Sequence, residues 1–179
     1  RQNKAWQDQG LPPVSVCVNV SARQFREKNL INRVVSALSE SGLDAKYLEL
    51  EITESLIMHD VDQAVATMQA LRKLGVQLAI DDFGTGYSSL NALKTFPVAR
   101  LKIDRSFISN LATNDSDKAV AGAVISLGQK LNLRVIAEGV ETAEQVEFLR
   151  ANNCDEIQGY YFSKPIASDA IPALLRPPT

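Results

Sequence analysis

The sequence contains little cysteine and has no strong excess of charge of either sign. It has two cysteines in 179 residues, and its formal net charge is −2. Because Cys17 and Cys154 each lie in a short apolar run, we expect reduced, buried thiols in a cytoplasmic protein and no disulfide. The small net charge argues against the long basic track that a binding surface for DNA or RNA requires.

The chain also lacks a long hydrophobic run. The longest apolar stretch lies around residues 119–128, which is much shorter than the roughly 18 residues that suggest a membrane span. No signal-peptide pattern opens the sequence. We therefore expect a soluble segment without membrane contact of its own, although a tether to the inner membrane could lie outside it. With 45% apolar and 22% charged residues, the composition is that of one globular domain spanning residues 1–179.

Short β-branched runs alternate along the sequence with longer amphipathic ones. Residues 29–41 and 60–74 each place their apolar side chains on one stripe, which is typical of a helix that packs on a core. Capping-box spacing at Asp60 and Thr142 marks two helix starts, and Gly42 stands where a helix stops. Between the helices, six strands are predicted to begin near Val14, Tyr47, Val76, Val98, Leu133 and Cys154.

The alternation of strand and helix implies parallel strands joined by right-handed crossovers, in either a doubly wound sheet or a barrel. In a doubly wound sheet the functional groups gather at one switch point, whereas in a barrel they come from the carboxyl ends of many strands. Polar side chains close all six predicted strands, at Asn19, Glu51 and Glu54, Asp81 and Asp82, Lys102 and Asp104, Glu138, and Gln158. This favours an α/β fold of the (β/α)8 barrel type, with about six strand-helix units present and two further strands expected before residue 1.

Asp81 and Asp82 are the strongest candidates for metal ligands. Two adjacent carboxylates repel each other, and burying them at the end of an apolar strand is costly without a cation. Mg²⁺ and Mn²⁺ prefer oxygen ligands. Any one of these acids taken alone is more often a surface residue or a helix cap. Their convergence at strand ends nevertheless predicts a site for one or two divalent ions, formed by Asn19, Glu51, Asp81, Asp82 and Glu138.

Lys102 ends a strand that should be buried, where an ammonium group needs anionic partners. It could hold a phosphate or a hydroxide by its charge, form a Schiff base if its pKa is depressed, or make a structural ion pair with Asp104 or a neighbouring acid. Glu54 also has two interpretations, since it could brace the glycine-rich loop from Gly84 to Leu90 or cap the next helix. That loop in turn could fold over a site or simply turn the chain.

Six short motifs follow one another along the chain, and as a set they are specific. They are VNVS (18–21), EITE (51–54), DDFGTGYSSL (81–90), LKID (101–104), AEGVE (137–141) and QGYY (158–161). The set closely resembles the EAL domain family, which comprises bacterial cyclic di-GMP phosphodiesterases. The resemblance extends from Trp6 to Pro165, which is nearly the whole chain.

The resemblance implies a modified TIM barrel that hydrolyses cyclic di-GMP to linear pGpG by a two-metal mechanism with Mg²⁺ or Mn²⁺. The two ions would be held by Asn19, Glu51, Asp81, Asp82 and Glu138. Lys102 would steady the attacking hydroxide, Gln158 would lie near the water and the phosphate, and Glu54 would hold the glycine-rich loop. Asp104 and Glu141 would help to place the guanosine halves of the substrate.

One departure from the family concerns the Glu-Ala-Leu signature that names it. Its strand is expected before residue 1, so the domain would be truncated at its N-terminal side, with one metal ligand unaccounted for. The family also contains catalytically inactive members that act as cyclic di-GMP receptors or protein-interaction modules, and this alternative stays open. We expect a homodimer formed through the loop from Gly84 to Leu90, and sensor or GGDEF domains elsewhere in the full-length protein.

Overall fold

A parallel β-sheet of six strands forms the frame of the structure, a computed structural model that describes residues 1–86 and 90–175. Each strand pairs with the strand that follows it in the sequence, so the spatial order of the strands is their order along the chain. The strands are β1 (Val16–Asn19), β2 (Leu48–Thr53), β3 (Gln77–Phe83), β4 (Arg100–Ile103), β5 (Arg134–Glu138) and β6 (Glu156–Gln158). All six lie where the sequence predicts a strand.

Helices occupy the segments between the strands. Those in the described residues are α1 (Gln2–Asp8), α2 (Ala22–Phe25), α3 (Leu30–Ser41), α4 (Glu54–Met58), α5 (Val61–Lys73), α6 (Leu90–Leu93), α7 (Arg105–Ser109), α8 (Asp115–Lys130), α9 (Ala143–Ala151) and α10 (Ile171–Leu175). A short 3₁₀ helix at Ala45–Tyr47 precedes β2. The longer helices α3, α5 and α8 each separate two consecutive strands, as the parallel arrangement requires.

The helix ends follow the local signals in the sequence. The side chain of Asp60 accepts a hydrogen bond from the backbone N–H of Gln63 at the start of α5. Thr142 and Gln145 form a full reciprocal capping box at the start of α9. Gly42 ends α3 with a φ of 66°, a left-handed conformation that glycine adopts without strain. The predicted boundaries of these helices are therefore confirmed.

The strand order decides between the two folds that alternating strands and helices allow. A doubly wound sheet reverses its order at a switch point, whereas the strands of a barrel follow one another round a cylinder. Because all neighbours here are sequential and parallel, the six strands form a half-barrel of the TIM type, which confirms the predicted fold class. The strand registers align Asn19 with Glu51 and Glu138 with Gln158, so the polar strand ends lie at one rim.

The hydrophobic core lies between the sheet and the helices. Leu50, Ile52, Leu78 and Ile80 of β2 and β3 are almost fully buried there, together with Met68 of α5. Successive side chains of a strand point to opposite faces. The residues between these apolar ones therefore face the inside of the half-barrel, and that face carries the polar groups.

The two outermost strands are more exposed than the four between them. Every residue of β1 is exposed, and two of the three residues of β6 are exposed as well. Cys17 on β1 is therefore exposed, and the prediction that it is buried is wrong, whereas Cys154 is partly buried. Both thiols are free. Across residues 1–86 and 90–175, no helix is both long enough and apolar enough to cross a membrane.

Candidate metal centre

Three carboxylates from three different strands surround the ammonium group of Lys102. The Nζ atom lies 2.6 Å from Oε1 of Glu138, 2.8 Å from Oε1 of Glu51 and 3.1 Å from Oδ1 of Asp81. Strands β2, β3, β4 and β5 each contribute one of these side chains at the carboxyl end. The side chain of Lys102 is only 3% exposed. The predicted convergence of polar strand ends is therefore present for these four residues.

This arrangement disfavours one of the roles considered for Lys102. Burial by itself lowers the pKa of the ammonium group, but hydrogen bonds to Glu138 and Glu51 and the charge of Asp81 outweigh it, so the pKa lies above its ordinary value. A Schiff-base lysine needs a depressed pKa to be a free amine at neutral pH. The raised pKa therefore disfavours the imine alternative, and the three ion-pair partners of Lys102 do not include Asp104.

Asp81 and Asp82 present their carboxylates to the same small volume as Glu138. One ligand oxygen from each of these three residues lies within 4.8 Å of the others. The strand pairing between β3 and β4 shifts between Ile80 and Phe83, and Asp82 has a φ of 55°, which is unusual outside glycine. This irregularity turns the end of β3, so that two adjacent residues, which would face opposite sides of a regular strand, both reach the site.

Burial raises the pKa of two acids in the cluster. For Asp82 the main cause is burial, followed by the charges of Asp81 and Asp104. For Glu138 burial is again the main cause, and it outweighs the opposing hydrogen bond with Lys102. Carboxylates crowded around one ammonium group are the oxygen donors that bind Mg²⁺ and Mn²⁺, and divalent charge would relieve their mutual repulsion. The residues therefore fit a divalent metal site.

Asp104 and Glu141 lie at the rim beside this cluster. The carboxylate of Asp104 caps α7 by accepting a hydrogen bond from the backbone N–H of Ser106 at 2.9 Å. Burial alone raises the pKa of Asp104, but its hydrogen bonds, chiefly with Ser106, outweigh burial and hold the pKa below its ordinary value. Glu141 accepts a hydrogen bond from Arg105 at 2.8 Å. Neither acid belongs to the group around Lys102.

Asn19 and Gln158 stand at the two outer strands of the same rim. Asn19 aligns with Glu51 across β1 and β2, and Gln158 aligns with Glu138 across β5 and β6. Both residues are exposed. Within the residues that the structure describes, neither side chain hydrogen-bonds to the carboxylate cluster, so the two residues flank the centre.

Glu54 braces the beginning of the glycine-rich loop. Its Oε2 accepts a hydrogen bond from the backbone N–H of Gly84 at 3.0 Å. The residue is buried, and its Oε1 has no hydrogen-bond partner in the described part of the chain. A Cβ atom at Gly86 would lie 2.6 Å from that Oε1, so the loop passes close to the carboxylate. Of the two alternatives, bracing the loop is the one observed, although residues 87–89 of this loop lie outside the described residues.

A second layer of charge lies below the cluster and was not predicted from the sequence. Arg100 donates hydrogen bonds to Glu49 at 2.6 Å and to Glu156 at 3.2 Å. Glu49, Arg100 and Glu156 stand two residues before Glu51, Lys102 and Gln158, which places them on the same face of their strands. The spacing of two residues between charged side chains along each strand is the sequence signal that would have predicted this layer. Because Arg100 pairs with both acids, its charge offsets theirs within this layer.

Known proteins share this fold. A family model described as EAL domain matches residues 1–165. The chain belongs to the EAL domain family. The resemblance seen in the six motifs is therefore confirmed. Among the relatives, cyclic di-GMP phosphodiesterase NbdA of Pseudomonas aeruginosa is 47% identical over 161 residues, which make up 90% of this chain and 21% of NbdA.

Solved EAL structures superimpose closely on this EAL domain. The structure of the PaMucR phosphodiesterase in a c-di-GMP complex has a TM-score of 0.92 and 42% identity, covering 95% of this chain and 69% of that one. The EAL domain of Mycobacterium smegmatis DcpA has a TM-score of 0.90 and 39% identity, covering 97% and 78%. This chain spans only about a fifth to a quarter of the curated relatives NbdA and MucR, at 21% and 25% of their lengths.

Proposed function

We propose that this chain, as a single EAL-type domain over residues 1–179, hydrolyses cyclic di-GMP to linear pGpG and depends on divalent metal for the reaction. The observation that carries the proposal is the meeting of Glu51, Asp81 and Glu138 around Lys102, with Asp82 beside them. Membership of the EAL family supports it, since NbdA is a cyclic di-GMP phosphodiesterase and the PaMucR structure is a c-di-GMP complex.

The metal site would hold two ions, Mg²⁺ or Mn²⁺. Their ligands would be the oxygens of Asn19, Glu51, Asp81, Asp82 and Glu138. When bound, such ions polarise phosphoryl oxygens and lower the pKa of a coordinated water toward about 7. These residues would direct their oxygens from several strands toward the same position. Without cations, the same carboxylates repel the phosphates of the substrate, so turnover requires metal.

The remaining site residues have roles of their own in this proposal. Lys102, which is held by its three carboxylate partners, would steady the attacking hydroxide. Glu54 would keep the loop in its working shape through the N–H of Gly84. Gln158 would lie near the water and the phosphate, while Asp104 and Glu141 would help to place the guanosine halves.

Besides its substrate, the full-length protein would have a second copy of itself and further domains as partners. A homodimer would form through the loop from Gly84 to Leu90 and its flanking helices. Sensor or GGDEF domains would lie elsewhere in the full-length protein, which fits the small share of its relatives that the chain covers. The domain would work in the cytoplasm, and any tether to the inner membrane would lie in another segment.

The test is an assay of the intact protein with cyclic di-GMP, in which the products are separated by chromatography. We expect pGpG in the presence of Mg²⁺ or Mn²⁺ and none after a chelator has removed the metal. Asp81→Asn keeps the size of the side chain but removes its charge, so we expect a folded protein that forms no pGpG. If the intact wild-type protein binds cyclic di-GMP with metal present but never cleaves it, the receptor alternative replaces this proposal.

A further inference from the structure

A cavity of about 560 Å³ lies at the opposite end of the half-barrel from the metal centre. Gln77, Arg100 and Arg134, which are the first residues of β3, β4 and β5, contribute to its lining. The metal centre is formed instead at the carboxyl ends of these strands. Pockets of about 300–1,000 Å³ are typical of small-molecule sites. The cavity therefore has room for a small ligand of its own.

The lining of this cavity is positively charged. In the described part of the chain it includes no acidic residue but four cations, which are Lys46, Arg72, Arg100 and Arg134. Three acids outside the lining, Asp44, Glu49 and Glu156, pair with members of this set. Four positive and three negative charges leave one positive charge in excess, in a chain whose formal net charge is −2. The cavity therefore suits an anion.

Two of these arginines use few of their donors within the protein. Arg72 has no acidic partner in the described part of the chain, and its guanidinium donates one hydrogen bond there, to the carbonyl oxygen of Pro97 at 3.4 Å. Arg134 shares Oε1 of Glu156 with Arg100, and its own distance to that oxygen is 3.4 Å. A guanidinium group has five N–H donors. Most donors of Arg72 and Arg134 therefore remain available to a ligand.

Neutral donors line the cavity as well. Within the described residues, the side chains of Ser15 and Asn132 make no hydrogen bond, and the amide of Gln77 donates one, to the carbonyl oxygen of Gly75 at 3.4 Å. These donors and the four cations come from separate elements of the fold. The ligand that matches such a lining carries many acceptor oxygens and a negative charge.

We propose that this cavity is a second ligand site, which binds a molecule with two or more linked phosphates through Arg72 and Arg134. Arginine forks bind phosphate oxygens through paired, charge-assisted hydrogen bonds. Because Arg72 lies on α5 and Arg134 on β5, a phosphate chain offers oxygens to cations on different elements at once, whereas a single phosphate offers fewer. The site is separate from the metal centre, and the inference does not depend on the proposed hydrolysis.

The experiment measures the Kd of inorganic pyrophosphate by calorimetry, with the intact protein from which a chelator and dialysis have removed all metal. Without metal, the carboxylates around Lys102 repel the ligand, so the measurement reports the cavity. We expect pyrophosphate to bind more tightly than inorganic phosphate, and its affinity to fall as salt is added. Arg72→Gln and Arg134→Gln should each lose about 10-fold in affinity, the usual value of a hydrogen bond to a charged group, and the double variant should not bind.

Arg150→Gln is the matched control. Arg72 and Arg150 are both exposed arginines in the last turn of a helix, where a cation also stabilises the helix through its dipole. Arg150 does not line the cavity. We expect Arg150→Gln to bind pyrophosphate as the wild type does. Thermal unfolding without ligand measures the contribution of each arginine to its helix, so that this effect is separated from the loss of affinity.

Nucleotides distinguish the two sources of such a phosphate chain. ATP and GTP are titrated under the same metal-free conditions, together with adenosine and guanosine. If the triphosphates bind more tightly than pyrophosphate, the ligand is a nucleotide whose nucleoside also contacts the cavity. If they bind no more tightly, the phosphate chain alone is recognised. Either result supports the inference, whereas nucleosides that bind as tightly as their triphosphates would overturn it.

Three further results would overturn the inference. They are no heat of binding at millimolar pyrophosphate, an unchanged affinity in the double variant of Arg72 and Arg134, and an equal loss of affinity in Arg150→Gln, which would indicate a general effect of charge. Because metal and cyclic di-GMP are absent from these titrations, such a failure would not bear on the proposed hydrolysis. In the same way, a protein that forms no pGpG would contradict the proposed function and leave this inference standing.

Discussion

The Nζ atom of Lys102 lies 2.6 Å from Oε1 of Glu138, and the same ammonium group bridges two further acids. Lys102→Met should therefore destabilise the metal-free protein, because it leaves buried carboxylates without a cation. We expect the free energy of unfolding to fall by about 3–5 kcal/mol, the usual cost of removing one partner from a buried pair. Urea unfolding in the presence of a chelator measures this loss, and adding Mn²⁺ should recover part of it.

The control for this change is Lys118→Met. Lys118 also pairs with an acid, Asp115, but both side chains are exposed on α8. A surface pair of this kind contributes at most about 1 kcal/mol to the free energy of unfolding. If the two methionine variants were equally stable, the ammonium group of Lys102 would not be offsetting the charge of the cluster.

Two glycines of α8 should respond in opposite ways to the same substitution. A Cβ atom at Gly128 would lie 2.2 Å from Cγ2 of Val135, where the helix packs on β5, whereas the nearest atom at Gly122 is Oδ1 of Asn152 at 3.5 Å. We expect Gly128→Ala to destabilise the protein by about 1–3 kcal/mol through overpacking. Gly122→Ala should stabilise it by up to about 1 kcal/mol through helix propensity. Thermal unfolding of both variants shows whether each substitution stabilises or destabilises the protein. A Gly128→Ala variant as stable as the wild type would contradict the close packing of α8 on β5.

Glu54→Ala should reduce turnover without unfolding the protein. It removes the acceptor for the backbone N–H of Gly84, so the loop after Asp82 loses its brace. A residue that supports metal ligands without binding the metal itself typically contributes about 10- to 100-fold to activity or metal affinity. We expect a loss of kcat/KM of this size. Glu54→Gln keeps an oxygen that accepts a hydrogen bond, so it should lose less. Equal losses in the two variants would show that the charge matters and the hydrogen bond does not.

As the pH falls, this site should lose its metal affinity at a higher pH than a site made of ordinary carboxylates does. Burial raises the pKa of Asp82 and of Glu138, so both groups take up protons at a higher pH than usual. A metal ion must displace those protons to bind. The affinity for Mn²⁺ should therefore hold at high pH and fall as the pH drops through the raised pKa values. Calorimetric titrations between about pH 8 and pH 5 test this, and a constant affinity across that range would contradict it.

Much of the fold could be predicted because its signals are local. Strand ends were visible as polar residues that close apolar runs, as at Asp81 and Lys102, and helix ends were visible as caps such as Thr142. The fold class followed from the strict alternation of strands and helices. Cys17 shows the limit of this approach, because an apolar run identifies a strand but does not reveal whether that strand lies at an edge of the sheet.

The geometry of the site was predictable in part. The convergence of Glu51, Asp81 and Glu138 followed from their positions at strand ends, but the choice among three roles for Lys102 required distances. Whether Glu54 braces the loop or caps a helix depends on a hydrogen bond to a residue 30 positions away. The φ of 55° at Asp82 has no signal in the sequence, because residue types other than glycine rarely adopt it.

We propose that side chains from separate strands hold a pair of divalent ions at one rim of the half-barrel. Electron paramagnetic resonance of the intact protein titrated with Mn²⁺ tests this most directly, because ions about 3.5–4 Å apart are magnetically coupled. We predict two Mn²⁺ ions per chain and the spectrum of a coupled pair, which Asp81→Asn should abolish. A wild-type protein that binds no Mn²⁺, or only isolated ions that Asp81→Asn leaves in place, would contradict the account.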